Sequence, residues 1–310
     1  MGLKINSTLC KKCRQSIAVK SFTFRYILLH CFKGNELLVA NMDKVLLRNN
    51  VKMSGRKDAT TLMLAHGFGC DQNMWRFMLP ELEKHFQVVL FDYVGSGNSV
   101  LSDYSIDKYS SLEGYAEDIV DIIGALQLSK VTIIGHSVSS IIASIASLHQ
   151  PEIIENIIMV CPSPCFLNKP PDYQGGFEQS DLEELFDLMD KNYIGWANYL
   201  APLVMGGSQS PELIGELSGS FCSTDPIVAK TFAKATFFSD YRAILKDIKS
   251  AVLILQSASD ALANLHVGQY MAENIVNSEL VVINAEGHCL HMTNHKEILP
   301  IILGFLEYNQ

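Results

Sequence analysis

Three residues far apart in this 310-residue chain could together carry out acyl transfer: Ser137, Asp260 and His288. A serine hydroxyl is a poor nucleophile until a histidine takes its proton and an acid orients the imidazole. Ser137 stands in Gly135-His136-Ser137-Val138-Ser139, between an apolar run at 131–134 and a helical pattern. A serine on such a sharp strand-to-helix turn is held above the strand ends with its hydroxyl exposed. Asp260 follows the apolar run 251–256, and His288 follows the run 280–283 within Glu286-Gly287-His288-Cys289. The order Ser, Asp, His along the chain is the one this architecture uses. Ser139 replaces the last glycine of G-x-S-x-G, and its small side chain still allows the helix to pack closely on the strand.

Acyl transfer also needs donors for the developing oxyanion, and backbone N–H groups can supply them whatever the side chain. The expected pair is Val138, directly after the nucleophile, and Phe68 in the loop His66-Gly67-Phe68-Gly69. Two other chemistries are set aside. His288, His291 and His295 have spacings that could suit a metal, but no carboxylate set lies near them, so no metal and no cofactor is expected. Gly95-Ser96-Gly97 opens like a dinucleotide fingerprint, yet the third glycine would fall on Val100. Cys289 reads as a packed thiol.

The elements that must position these residues follow from periodicity. Strands are expected at 45–51, 61–65, 87–91, 131–134, 156–160, 251–256 and 280–283, most of them short apolar runs bounded by turn residues. Ser110 and Glu113 have capping-box spacing ahead of a helix whose apolar face is Tyr115, Ile119, Ile122, Ile123 and Leu126. Strands alternating with helices predict an α/β fold with a mostly parallel central sheet flanked by helices. Between 163 and 238 no strand pattern occurs. Four helical segments, near 179–193, 194–206, 211–222 and 225–238, read as a cap over the strand ends, entered through a proline-rich hinge at 162–171. The domain reading is therefore a core at 44–162 and 239–310 with a helical cap at 163–238. Residues 1–43 read as an N-terminal extension, a disordered tail or a start assigned too far upstream, with Met42 as the initiator. In that extension Cys10, Cys13, His30 and Cys31 lack the spacing of a zinc site.

Composition narrows the class. Apolar residues make up 48% and charged residues 18%, enough for a sizeable core. A net charge of −9 disfavours nucleic acid or an anionic membrane as partner. Eight cysteines lie scattered, which fits reduced thiols in a cytoplasmic protein. No apolar stretch reaches the length of a membrane span; Arg25 interrupts the nearest signal-like segment, and Asn6 breaks the myristoylation pattern.

The motifs Ala65-His66-Gly67-Phe68-Gly69-Cys70-Asp71-Gln72, Phe91-Asp92-Tyr93-Val94-Gly95-Ser96-Gly97, Cys161-Pro162-Ser163-Pro164-Cys165, Lys191-Asn192-Tyr193-Ile194-Gly195-Trp196 and Phe221-Cys222-Ser223-Thr224-Asp225-Pro226 carry a resemblance. Over roughly residues 45–308 the chain resembles the α/β-hydrolases of the bacterial RsbQ stress-regulator type and the plant karrikin and strigolactone receptors. The resemblance implies an α/β-hydrolase core with a four-helix V-shaped cap, and a triad on Ser137, Asp260 and His288. It also implies a buried apolar pocket for a small hydrophobic molecule, with His136, Phe166, Trp196 and Phe237 as lining candidates. A PAS-domain phosphatase controlling a general-stress sigma factor is the partner it implies. Asn264 stands where a proline commonly follows the acid of this family. The expected function is a serine hydrolase of a small hydrophobic ester or lactone with a role in stress signalling; the competing one is a ligand-binding signalling module with slow hydrolysis. Epoxide hydrolase and dehalogenase chemistries place an aspartate at the elbow, where this chain has Ser137.

Overall fold

The apolar runs become a seven-stranded sheet in the order β1-β3-β2-β4-β5-β6-β7. Its strands are β1 (Lys52–Gly55), β2 (Thr61–Ala65), β3 (Gln87–Leu90), β4 (Val131–His136), β5 (Ile154–Val160), β6 (Ala251–Ser259) and β7 (Ser278–Glu286). Only β1 runs antiparallel; the other five pairings are parallel. Every residue of β2 and β4 is buried. That is the condition in which a continuous apolar run, and not an alternating one, makes a strand. The computed structural model describes residues 41–207 and 209–309, of which residues from Val45 onward form one contact unit. Cys10, Cys13, His30 and Cys31, and nearly all of the expected N-terminal extension, lie outside the described residues.

In chain order the α-helices from residue 79 onward are α1 (Leu79–His85), α2 (Ile106–Tyr109), α3 (Leu112–Ala125), α4 (Val138–His149), α5 (Gln179–Lys191), α6 (Tyr193–Met205), α7 (Pro211–Ser223), α8 (Pro226–Phe237), α9 (Leu265–Asn274), α10 (Leu290–Thr293) and α11 (His295–Tyr308). Helices α5 to α8 lie between β5 and β6. Each starts where its sequence supplies a cap: Glu178 and Asp181 form a reciprocal box at α5, and Asn192, Ser210 and Asp225 accept backbone N–H groups at α6, α7 and α8. Aromatic rings join these helices to the core. Phe232 of α8 stacks on Tyr115 of α3 at 4.1 Å, and Phe68 touches Trp196, Phe221, Phe232 and Phe237. Each such ring removed from water contributes roughly 1.5–3 kcal/mol.

Two local expectations are corrected. Residues 45–48, expected to open a strand, are helical. Asn50 explains why: at φ 46 it sits in the left-handed region and closes the helix. The Val51 N–H donates to the Leu46 carbonyl and the Asn50 N–H to that of Leu47. That pair of bonds is the Schellman termination, which asparagine tolerates, and the strand starts only at Lys52. The cap of α3 is Ser111 instead of Ser110, and its side chain makes no capping bond to the backbone. Glu113 instead accepts from the Tyr241 hydroxyl at 2.8 Å.

Candidate active site

Strand order reverses at β2, which has β3 on one side and β4 on the other. At such a switch point the loops leaving the two strands part and open a crevice above the sheet. The loop after β2 carries Phe68; the turn after β4 carries Ser137. Ser137 has φ 55 and ψ −123, a conformation costly for a residue with a side chain and held here by its surroundings. A Cβ on Gly135 would lie 2.6 Å from the Ser139 carbonyl oxygen, so helix α4 can descend onto β4 only over a glycine. Gly67 is required in the same way, because a Cβ there would lie 2.4 Å from His136 Nδ1.

His288 reaches Ser137 from the loop after β7. Its Nε2 lies 2.7 Å from Ser137 Oγ, and its Nδ1 lies 2.7 Å from Asp260 Oδ2. The carboxylate fixes the proton on Nδ1 and leaves Nε2 free to accept from the serine hydroxyl. Asp260 is held in turn: Oδ1 accepts the N–H groups of Leu262 at 2.8 Å and Ala263 at 3.1 Å, and its side chain is fully buried. The His288 loop is clamped under the end of α6, where its N–H donates to the Val204 carbonyl at 2.8 Å. Gly287, at φ 99, passes so close to Met205 that a Cβ would meet its carbonyl oxygen at 2.1 Å. Asn264, in place of the family's proline, accepts the Val267 N–H and so caps α9, the helix following Asp260.

Electrostatically the surroundings favour neutral neighbours. Burial, then the rings of His291 and His288, holds the pKa of His136 far below the usual histidine range. Its Nε2–H donates to the His288 carbonyl at 3.0 Å. Burial, and then the Asp260 carboxylate, pushes the Cys161 thiol far up. Ligand atoms of Cys161, Asp260 and His288 lie within 4.8 Å of one another. A cation there would need a thiolate that burial opposes, and it would break the Asp260–His288 bond; the donor set does not fit a resident metal. His291 and His295 do not join His288 in a ligand group among the described residues. His291 packs between Trp75 and His136, while His295 stacks on Phe77 and bonds the Met292 carbonyl.

Above Ser137 lies a chamber of about 20 Å³, walled by Phe68, Phe166, Leu200, Phe221, Phe237 and Leu262 and reached also by His136, Cys70 and Cys289. Of the expected lining candidates, His136, Phe166 and Phe237 are among the chamber's lining residues. Trp196 sits one layer back, its ring 6.1 Å from Phe68 and 5.3 Å from Phe221. Phe221, Leu200 and Leu262 went unselected, although Phe221 opens one of the motifs quoted for the resemblance.

Comparison with known proteins agrees with this fold. The chain belongs to the alpha/beta hydrolase fold family, which matches residues 60–295. It is similar to a karrikin insensitive 2 receptor of Petunia hybrida, 35% identical over 262 residues, covering 84% of this chain and 96% of the relative. It is likewise similar to the strigolactone esterase D14 of Arabidopsis thaliana, 34% identical over 77% of this chain and 89% of the relative. Among solved structures, a hydrolase from Oleispira antarctica superposes with a TM-score of 0.85 at 67% identity, covering 86% of this chain and 97% of that one. An esterase from Exiguobacterium antarcticum, at 21% identity and a TM-score of 0.76, shares the fold.

Proposed function

We propose that this protein is a serine hydrolase of small hydrophobic carboxylic esters or lactones. One observation carries the reading: the continuous relay from Asp260 through His288 to Ser137, both links 2.7 Å long. His288 Nε2 takes the Ser137 proton as Oγ attacks the substrate carbonyl carbon. The tetrahedral oxyanion is met by the N–H groups of Phe68 and Val138. Collapse breaks the bond to the alcohol, which leaves with the proton now on His288. Water, deprotonated by the same imidazole, then attacks the acyl-serine, and Ser137 recovers its proton. No cofactor takes part. The esterase and receptor names among the relatives support the ester-hydrolase class and a small hydrophobic ligand. The test is intact-mass spectrometry after exposure to a fluorophosphonate, with p-nitrophenyl acetate turnover measured in parallel. One adduct per chain, absent from Ser137→Ala, and turnover far above that variant are the expected results; equal turnover by both proteins overturns the reading.

The receptor names among the relatives favour a second role, in which the occupied chamber alters the cap and the cap engages a partner. A PAS-domain phosphatase of a cytoplasmic stress pathway is that partner. Pull-downs with and without a hydrolysable ester test this; capture that depends on the ester supports it. No capture in either condition, alongside fast turnover, leaves hydrolysis as the whole function.

A further inference from the structure

The chamber over Ser137 is too small for a complete ester. Its volume of about 20 Å³ is close to what a single water molecule needs. A second cavity of about 460 Å³ opens at the surface between α5, α6 and the loop after Asp260. The two linings share only Leu200 and Leu262, so the two leucines form the partition between them. Resting on the hydrolase reading above, we infer that this outer groove is the subsite for the leaving alcohol, and that Leu200 is the specificity-determining gate through which that alcohol passes.

Chemistry fixes which half of the ester lies on which side. The acyl group remains bonded to Ser137 Oγ after the first step, so it must fit within the enclosed space beside the serine. The alcohol leaves first, and the groove is the open volume sharing a wall with that space. Deacylating water then enters through the gap the alcohol vacates.

The partition is unequal in stiffness. Leu262 is tied by its own N–H to Asp260 Oδ1, so moving its backbone would disturb the acid that orients His288. Leu200 lies on α6, two residues before Pro202. A proline inside a helix removes one backbone bond and crowds the preceding turn. Beyond it, Val204 is pinned by the His288 N–H. The helix is therefore anchored on the far side of the proline and weakened on the side carrying Leu200.

Groove composition defines the alcohol. Phe177, Leu185, Leu188 and Leu203 offer apolar surface, Asp181 and Glu184 contribute carboxylates, and no lysine or arginine is among the described lining residues. An uncharged, apolar alcohol suits this surface, and an anionic one meets like charge.

The experiment compares two substrate series on the full chain. In the alcohol series the acyl group stays acetyl while the alcohol grows from vinyl to phenyl to 1-naphthyl, with 4-carboxyphenyl acetate as the anionic member. In the acyl series the alcohol stays p-nitrophenol while the acyl chain lengthens from acetate to hexanoate. Leu200→Ala is expected to raise the naphthyl-to-vinyl ratio of kcat/KM at least tenfold and to move the acyl series less than threefold. Leu200→Phe, which narrows the gap, is expected to shift the alcohol ratio the opposite way, so general loosening of the fold is recognised. Leu217→Ala, on a chamber wall that does not face the groove, is expected to move the acyl series and spare the alcohol series. Wild-type protein is expected to disfavour 4-carboxyphenyl over phenyl acetate at low salt. If Leu200→Ala and Leu217→Ala move both series alike, the subsite assignment is overturned while the hydrolase reading survives. If no ester in either series exceeds the Ser137→Ala background, both fall.

Discussion

The Ser139 hydroxyl donates to the His66 carbonyl and joins the first turn after the nucleophile to the loop carrying Phe68. The Tyr93 hydroxyl lies 3.1 Å from Ser139 Oγ, and the Tyr93 N–H donates to His66 Nε2 at 3.2 Å. That bond fixes the tautomer: the His66 proton sits on Nδ1 and is given to the Gly67 carbonyl. A serine in place of the elbow glycine thus does more than fit. It ties together the two loops expected to supply the oxyanion donors. Removing the hydroxyl strands a buried carbonyl, which costs about 1–3 kcal/mol. Ser139→Ala and Ser139→Gly are both expected to lose stability of that order in urea unfolding. Each should also lower kcat several-fold with a smaller change in KM. A drop in stability with unchanged kcat would restrict Ser139 to a structural role.

Asp260 is expected to act through His288 alone, because its two oxygens are spent on Nδ1 and on two backbone N–H groups. Asp260→Asn keeps the shape and the backbone bonds but can present an N–H where Nδ1 needs an acceptor, which favours the unproductive tautomer. A loss in kcat of about 10⁴-fold near neutral pH is expected, from the behaviour of such substitutions in Ser-His-Asp enzymes. Steady-state kinetics against pH checks this. A loss below tenfold would mean that the acid does not orient His288 during turnover.

How much of this was legible beforehand depended on the kind of signal. Strands β2, β4 and β6 were plain because burial on both faces demands an unbroken apolar run, and a run is visible in one dimension. The same rule misread 45–51, where Val45, Leu46 and Leu47 belong to a helix end whose termination depends on Asn50 adopting φ 46. The order of Ser137, Asp260 and His288 was readable because each follows a strand in its own segment. The chamber wall was not. Trp196 and Phe221 are both aromatic, both buried and both on cap helices, and only the packing angle of α6 against α7 brings Phe221 to the cavity with Trp196 behind it.

Thiol reactivity offers a direct report on opening of the chamber. Among the described cysteines, Cys222 is exposed while Cys70, Cys161, Cys165 and Cys289 are buried. Burial, reinforced by Asp71 and Glu216, pushes the Cys70 thiol up to about 12, and burial holds Cys289 well above its ordinary value. Thiolate is the reactive form, so both should resist alkylation in the closed state. Peptide mapping after iodoacetamide at pH 8 is expected to find Cys222 modified within minutes and Cys70 and Cys289 unmodified until denaturant is added. Because both buried thiols face the chamber, labelling of either as fast as Cys222 would show that the chamber stands open to solvent most of the time.

His291 gives the sharpest expectation for pH. It is wholly buried beside Trp75 and His136, and neither ring nitrogen has a hydrogen-bond partner among the described residues. Burial first, with smaller contributions from His288 and Arg76, lowers its pKa to about 3. The unfolded chain, with an ordinary histidine near 6.5, therefore binds a proton that the folded chain refuses across the interval between these values. Above about pH 6.5 the ring is neutral in both states and stability is at its full value. As pH falls from there towards 3, the ring removes stability at up to about 1.4 kcal/mol per pH unit. His136, whose pKa is also depressed, acts in the same sense. His291→Leu removes the titration and two unpaired polar atoms together, and replacing such groups by apolar ones can be neutral or stabilising. Urea unfolding of the wild type at pH 7.5 and pH 5 is expected to show a clear fall in midpoint. The fall should be visibly smaller in His291→Leu, with equal or higher stability at pH 7.5. An identical fall in both proteins would place the acid sensitivity elsewhere, with His136 the next ring to replace.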